Sequence, residues 1–135
     1  MSIAAAALRA AIHDALREDA ALVAMLGGPN VYDEVPRGAA FPHVAIGEAR
    51  FSPLGADGPP GEEHQLTLHV WSRQGGHKEA HLVPGAVMQA LDDADLPLED
   101  HRLVNLRFAL ADVRREADGR TYHGLVRFRA VTEPA

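Results

Sequence analysis

"LVNLRFALADVRRE" (103–116) and "RTYHGLVRFRAVT" (120–132), joined by "ADG" (117–119), form the segment on which the fold turns. Both runs are rich in β-branched and aromatic residues and alternate apolar with polar, and Asp-Gly sits between them, so they read as one long β-hairpin. The register has two candidates. A two-residue Asp118-Gly119 turn would pair Phe108 with Arg129 and Leu110 with Arg127, setting apolar residues against charges on one face. A type I turn with Gly119 left-handed, closing a bulge, pairs Glu116 with Arg120. Leu110 then lies opposite Val126, and Phe108 opposite Phe128. The apolar match favours the bulged turn.

On the other face this register sets Arg107 opposite Arg129, with Arg127 two residues along and Arg115 nearer the turn. Like charges directly across a strand pair are unfavourable. Two readings stay open: long side chains splayed into water over nearby carboxylates, or a basic ladder awaiting an acidic surface on another subunit.

Upstream, Ser2 can cap a first helix in which Leu8, Ile12 and Leu16 recur every four residues. Asp19 caps a short second helix with Leu22, Val23 and Leu26, and Gly27-Gly28-Pro29 ends it. "NVYDEVP" (30–36) is a short extended piece and "GAAFP" (38–42) a loop. Pro42–Phe51 reads as a strand, from the alternation of Val44, Ile46 and Glu48. "SPLGADGPPGEE" (52–63) holds three glycines and three prolines in twelve residues and reads as a long loop. "HQLTLHVWSR" (64–73) alternates cleanly, with Leu66, Leu68 and Val70 on one face and Thr67, His69 and Trp71 on the other. A helix spans about His77 to Asp93, its apolar stripe made by Ala80, Val83, Val87, Ala90 and Leu91. Pro84 either kinks that helix or marks its true start, because it has no N–H for the carbonyl of Ala80.

The chain has 135 residues, 47% of them hydrophobic, which suits one domain over 1–135. It has no cysteine, so neither disulfides nor thiolate sites arise. Neither a signal peptide nor a membrane span is visible, and the reading is a soluble intracellular product. A net charge of −6 argues against a large nucleic-acid footprint. Eight histidines raise the question of a metal or acid–base site. His77 and His81 share a helix face, but "HKEAH" is not "HExxH", and no third ligand is evident. His64 and His69 lie on opposite faces of one strand. Ser52 and Ser72 lack a nucleophile setting, and "GADGPPG" (55–61) has no lysine or following helix for phosphate. No catalytic residue, metal site or cofactor is expected.

Taken together, "LRAAIHDALREDAALVAMLGG" (8–28), "VYDEVPRGAAFPHVAIGE" (31–48), "LTLHVWSR" (66–73) and "DGRTYHGLVRFRAVTE" (118–133) resemble the tail-completion, or tail-terminator, proteins of long-tailed phages and phage-derived gene transfer agents. The resemblance implies an α+β fold: a small, mainly antiparallel sheet, here with a long C-terminal hairpin, and helices packed on one face. It implies a homo-oligomeric ring, usually of six subunits, at the head-proximal end of the tail, assembled in the host cytoplasm. The ring's implied partners are the tail tube protein and the head–tail connector. DNA would pass through without specific binding, and no membrane is involved. The family has no catalytic residues to transfer. From the residues themselves, the candidate subunit interface is Arg107, Arg115, Arg127 and Arg129, with carboxylates from Glu62, Glu63, Asp92 and Asp93. The candidate partner-contact loop contains Ser52, Pro53, Leu54, Asp57, Pro59 and Pro60. A metal-dependent enzyme using the histidines and a nucleic-acid module using the arginines are the alternatives.

Overall fold

The computed structural model describes residues 3–55 and 60–135. Ser2, expected to cap the first helix, lies outside the described residues. Helix α1 (Ala4–Glu18) buries Leu8, Ile12 and Leu16, the stripe read from the sequence, and Ala4 with them. Asp19 caps α2 (Ala20–Leu26) by accepting the Leu22 N–H at 2.9 Å. Gly27 ends α2 at φ +75°, where a Cβ would be strained.

Among the described residues, five strands form one sheet in the order β1-β2-β3-β5-β4. Strand β1 (Val31–Tyr32) runs parallel to β2 (His43–Pro53), and the other pairs are antiparallel. Strands β3 (Glu62–Ser72) and β5 (Tyr122–Pro134) pair along their whole common length, so β5 lies between β3 and β4 (His101–Arg115). Helix α3 (His77–Leu91) joins α1 and α2 over one face of this sheet. Leu66, Leu68 and Val70 of β3 and Val126, Phe128 and Ala130 of β5 meet Leu8, Ile12, Val83, Val87 and Leu91 in a single core. The fold is therefore α+β.

Helix α3 is continuous through Pro84 rather than beginning there. Pro84 is buried, and Gly124 of β5 makes room for it. A Cβ at Gly124 would lie 3.0 Å from the Pro84 ring and 3.5 Å from the Ala80 carbonyl that the proline leaves unbonded. The interruption in helix bonding thus faces a glycine, where helix and strand approach closely.

The 52–63 loop is shorter than the sequence suggests. Ser52 and Pro53 extend β2, Glu62 and Glu63 begin β3, and the Leu54 N–H bonds to the Gly61 carbonyl at 3.0 Å. Pro53 is tolerated because β1 covers only Val44 and Ala45, leaving this part of β2 as an edge.

The hairpin register also differs in part. Arg107 faces Arg129 and Phe108 faces Phe128, as expected, but Leu110 faces Arg127 rather than Val126. Glu116 pairs with Thr121 rather than Arg120, through a 2.7 Å Glu116 N–H to Thr121 carbonyl bond. The Asp118 carboxylate closes this longer turn by accepting the Thr121 hydroxyl (2.6 Å) and the backbone N–H groups of Thr121 (2.8 Å) and Arg120 (3.0 Å). The same bonds, the hydroxyl first, lower the Asp118 pKa to about 2. Gly119 is left-handed, as expected. An extra β4 residue between Phe108 and Leu110 then shifts the pairing by one. One hairpin therefore uses both candidate registers, separated by a bulge.

Phe128 is fully buried and meets Phe108 edge-on, ring centroids 6.0 Å apart. Phe128→Ala should cost about 3–5 kcal/mol, measured by denaturant unfolding, because a central strand cannot collapse into the cavity.

Candidate functional site

With the helices of the described residues on one side, the odd-numbered residues of β3 and β5 form the open face turned away from them: Glu63, Gln65, the buried Thr67, His69 and Trp71 beside His123, Leu125, Arg127 and Arg129. Arg107 of β4 joins them opposite Arg129. The crowded arginines are partly compensated within the chain. Arg129 pairs with Glu63, Arg107 lies 3.7 Å from Asp93, and the Arg127 Nε–H donates to Thr67 Oγ1 at 3.4 Å. Asp92 serves the backbone instead, accepting the Phe108 N–H at 2.9 Å. Glu62 stands at the start of β3, opposite Thr132.

Arg115 does not belong to this ladder. The bulge after Phe108 turns it to the side of Tyr122 and puts Arg114 on the open face, opposite His123. Arg114 in turn bonds to Asp112 at 3.0 Å. The sequence offered no glycine to mark a bulge there, so the reversal was not readable.

Of the loop candidates, Ser52 and Pro53 lie in β2 and are exposed, as are Leu54 and Pro60. Asp57 and Pro59 lie outside the described residues. A hollow of about 250 Å³ separates this end of β2 from Arg129, lined by Arg50, Ser52, Glu63 and Gln65 among others.

The residues that sequence reading missed sit at the other end of the open face. His69 Nδ1 lies 2.6 Å from His123 Nε2, His69 Nε2 lies 2.9 Å from Glu48, and His123 Nδ1 lies 3.3 Å from Glu116. Trp71 stacks on His123, centroids 4.1 Å apart and planes 5° from parallel. A bulge in β2 between Ile46 and Ala49 contains Gly47 and Glu48. A Cβ on Gly47 would come within 2.5 Å of the His69 ring, so this glycine admits the imidazole. The one readable signal was that His69 and Trp71 share a strand face. His123 joins them only because β3 pairs with β5.

Burial foremost, and then the charge of His69, lower the His123 pKa, while Glu116 opposes the shift. The hydrogen bond from His69 lowers that of Glu48. His43 and His64 are lowered chiefly by burial. The buried His64 ring meets Thr132 Oγ1 at 2.9 Å. On α3, His77 and His81 are exposed, and His81 Nδ1 donates to the His77 carbonyl at 2.7 Å. Among the described residues no group of three or more His, Asp or Glu side chains is placed to hold a metal ion.

Residues 10–133 match the family model described as tail completion protein gp17. The chain belongs to the tail completion protein gp17 family. The tail completion protein gp17 of Bacillus phage SPP1 is 32% identical over 91 residues, which are 66% of each chain. A chain in the virion of a native gene transfer agent particle is 34% identical, with a TM-score of 0.89 over 98% of this chain and 99% of that one. The solved SPP1 gp17 has 26% identity and a TM-score of 0.66 over 96% of this chain and 91% of that one. Membership gives this gp17-family protein a structural role in tail completion, as part of a virion-type particle.

Two outcomes follow from the histidines. His43, His64 and His123 all bind protons less readily folded than unfolded, so the unfolded chain takes up more protons as pH falls below the histidine range, near 6.5. Their contribution to stability is present above that range and is lost on acidification. The melting temperature should therefore drop between pH 7.5 and pH 5, and His64→Gln should flatten the drop. Changing both His77 and His81 to alanine should cost less than about 2 kcal/mol in denaturant unfolding, as for ordinary exposed positions.

Proposed function

We propose that this chain forms a closed ring, of six subunits, that caps the head-proximal end of a tail tube and joins it to the head–tail connector. The observation carrying this reading is the likeness, over nearly the full length of both chains, to a subunit of an assembled gene transfer agent particle. A capping ring needs surfaces rather than an active site, and the protein's role on this reading involves no catalysis. A net charge of −6 suits a channel through which DNA slides without being held.

The open sheet face, in this proposal, is a subunit contact. Arg107, Arg127 and Arg129 lie together on it, and the first and last are paired to their own chain only through exposed groups. Exposed ion pairs contribute little, so exchange for a neighbour's carboxylates costs little. Glu62, Glu63, Asp92 and Asp93 are the matching candidates. Arginine's two-pronged bonding to carboxylate would gain strength as water leaves the contact. The exposed end of β2 at Ser52–Leu54, with Pro60 across from it, is the proposed contact with the tube.

Electron microscopy and native mass measurement of the purified protein should show rings. Arg127→Glu combined with Arg129→Glu should leave circular dichroism and melting near wild type, since both side chains point away from the core, while abolishing rings. Rings of the double variant would remove the arginine face from the interface. A wild-type protein that stays monomeric at high concentration and forms no ring with its tube protein would overturn the ring itself.

A further inference from the structure

The Glu48–His69–His123–Glu116 chain poses a proton-counting problem. Two of its three contacts, carboxylate to ring and ring to ring, are hydrogen bonds that each need one N–H between the heavy atoms. The third, ring to carboxylate at 3.3 Å, is an ion-pair contact that attracts only when His123 Nδ1 carries a proton. Two neutral imidazoles carry two N–H groups in total. With two, either the facing ring nitrogens at 2.6 Å oppose lone pair to lone pair, or one ring presents a lone pair to a carboxylate. With three, both hydrogen bonds are made and an N–H of His123 faces the Glu116 carboxylate. We propose that the His69–His123 pair is a one-proton binding site, holding one proton beyond the two of neutral imidazoles and releasing it as a unit.

The surroundings fit a single extra charge. Both histidine side chains are less than one-fifth exposed, whereas Glu48 is 74% and Glu116 36% exposed, so the rings are shielded and the compensating carboxylates reach water. Glu48 comes from the β2 bulge, His69 and Trp71 from β3, His123 and Arg127 from β5, and Glu116 and Arg114 from the turn end of the hairpin. Arg127 acts on Glu48 and Arg114 on His123, and Asp112 is bonded to Arg114. Two carboxylates thus oppose one shared proton, and a second proton would meet both the first and these arginines. Burial and the charge of His69 hold His123 down, which is the direction required for it to remain the neutral member.

Proton release has a structural result. Once the third N–H is lost, the longest of the three contacts, His123 to Glu116, is the one that opens. Glu116 stands at the base of the hairpin turn, where its backbone N–H bonds to the Thr121 carbonyl. The attachment of the hairpin tip to the open face is then proton-linked, and that face changes by one charge.

Trp71, the chain's one tryptophan, is a built-in reporter because it stacks on His123. The experiment follows Trp71 emission and the ring ¹⁵N shifts of His69 and His123 from pH 5 to pH 9. Expected is one transition of one proton, with one midpoint at both rings and at Trp71, and three N–H groups on the pair below it. Glu48→Gln and Glu116→Gln should each lower the midpoint by about one pH unit, a tenfold loss of proton affinity. Gly47→Ala keeps all four titrating side chains but displaces the His69 ring, and should split the transition into two independent ones. Two separate midpoints in the wild-type protein, or neutral rings with only two N–H groups throughout, would overturn the proposal. The wild-type ring shifts decide the matter even if a variant fails to fold.

Discussion

Among the described residues the helices cover one face of the five-stranded sheet, and the rest of the molecule follows from that constraint. The helices lie on one side, so the even positions of β3 and β5 became the core. The odd positions face away from the helices, Thr67 buried among its neighbours and most of the others partly exposed. Leu66, Leu68 and Val70 bury beside Val126 and Phe128 because strand geometry alternates side chains with a period of two. The same alternation sends His69, Trp71, His123, Arg127 and Arg129 outward. Polar groups and charges on a naked sheet face must find partners in one another, and here they do, through Glu48, Glu63, Asp112 and Glu116.

An open sheet also has two edges, each with unpaired backbone groups. On one side β1 covers just two residues of β2, and Arg9 reaches from α1 to bond the carbonyls of Ile46 and Gly47 at 2.7 and 2.8 Å. The guanidinium also pairs with Asp33. On the other side the end of α3 runs along β4. Asp92 accepts the Phe108 N–H, and the Asp93 N–H donates to the Leu106 carbonyl at 2.8 Å. Each edge is therefore blunted near its middle by a group anchored in the helix layer, which also ties that layer to the sheet.

What could be read from the sequence was local. The leucine and isoleucine spacing of α1, the Asp19 cap, the Gly27 stop and the alternation of β3 each depend on residues within one element. The hairpin was legible because its strands are joined by a short turn. The arginine pair Arg107–Arg129 came from matching apolar residues across that turn. The Arg114–Arg115 reversal did not, because the bulge behind it contains no residue that favours one. The histidine chain was harder still. His69 and His123 are 54 positions apart, and they meet because β3 skips β4 to pair with β5. Strand order is a property of the whole sheet, and no spacing within a single strand encodes it.

The unequal lengths of the hairpin's arms carry a further meaning. Strand β4 uses 15 residues alongside the 13 of β5, and the surplus sits in two bulges, one before Asn105 and one after Phe108. In a strand without slack, removing one residue reverses the facing of everything on one side of the cut. In β4 a deletion at either bulge would consume the spare residue, and the pairing could close up with the core side chains Leu103, Leu106 and Phe108 still inward. This strand can therefore absorb the gain or loss of a codon that β3 and β5 cannot, and length variation among related chains should gather there.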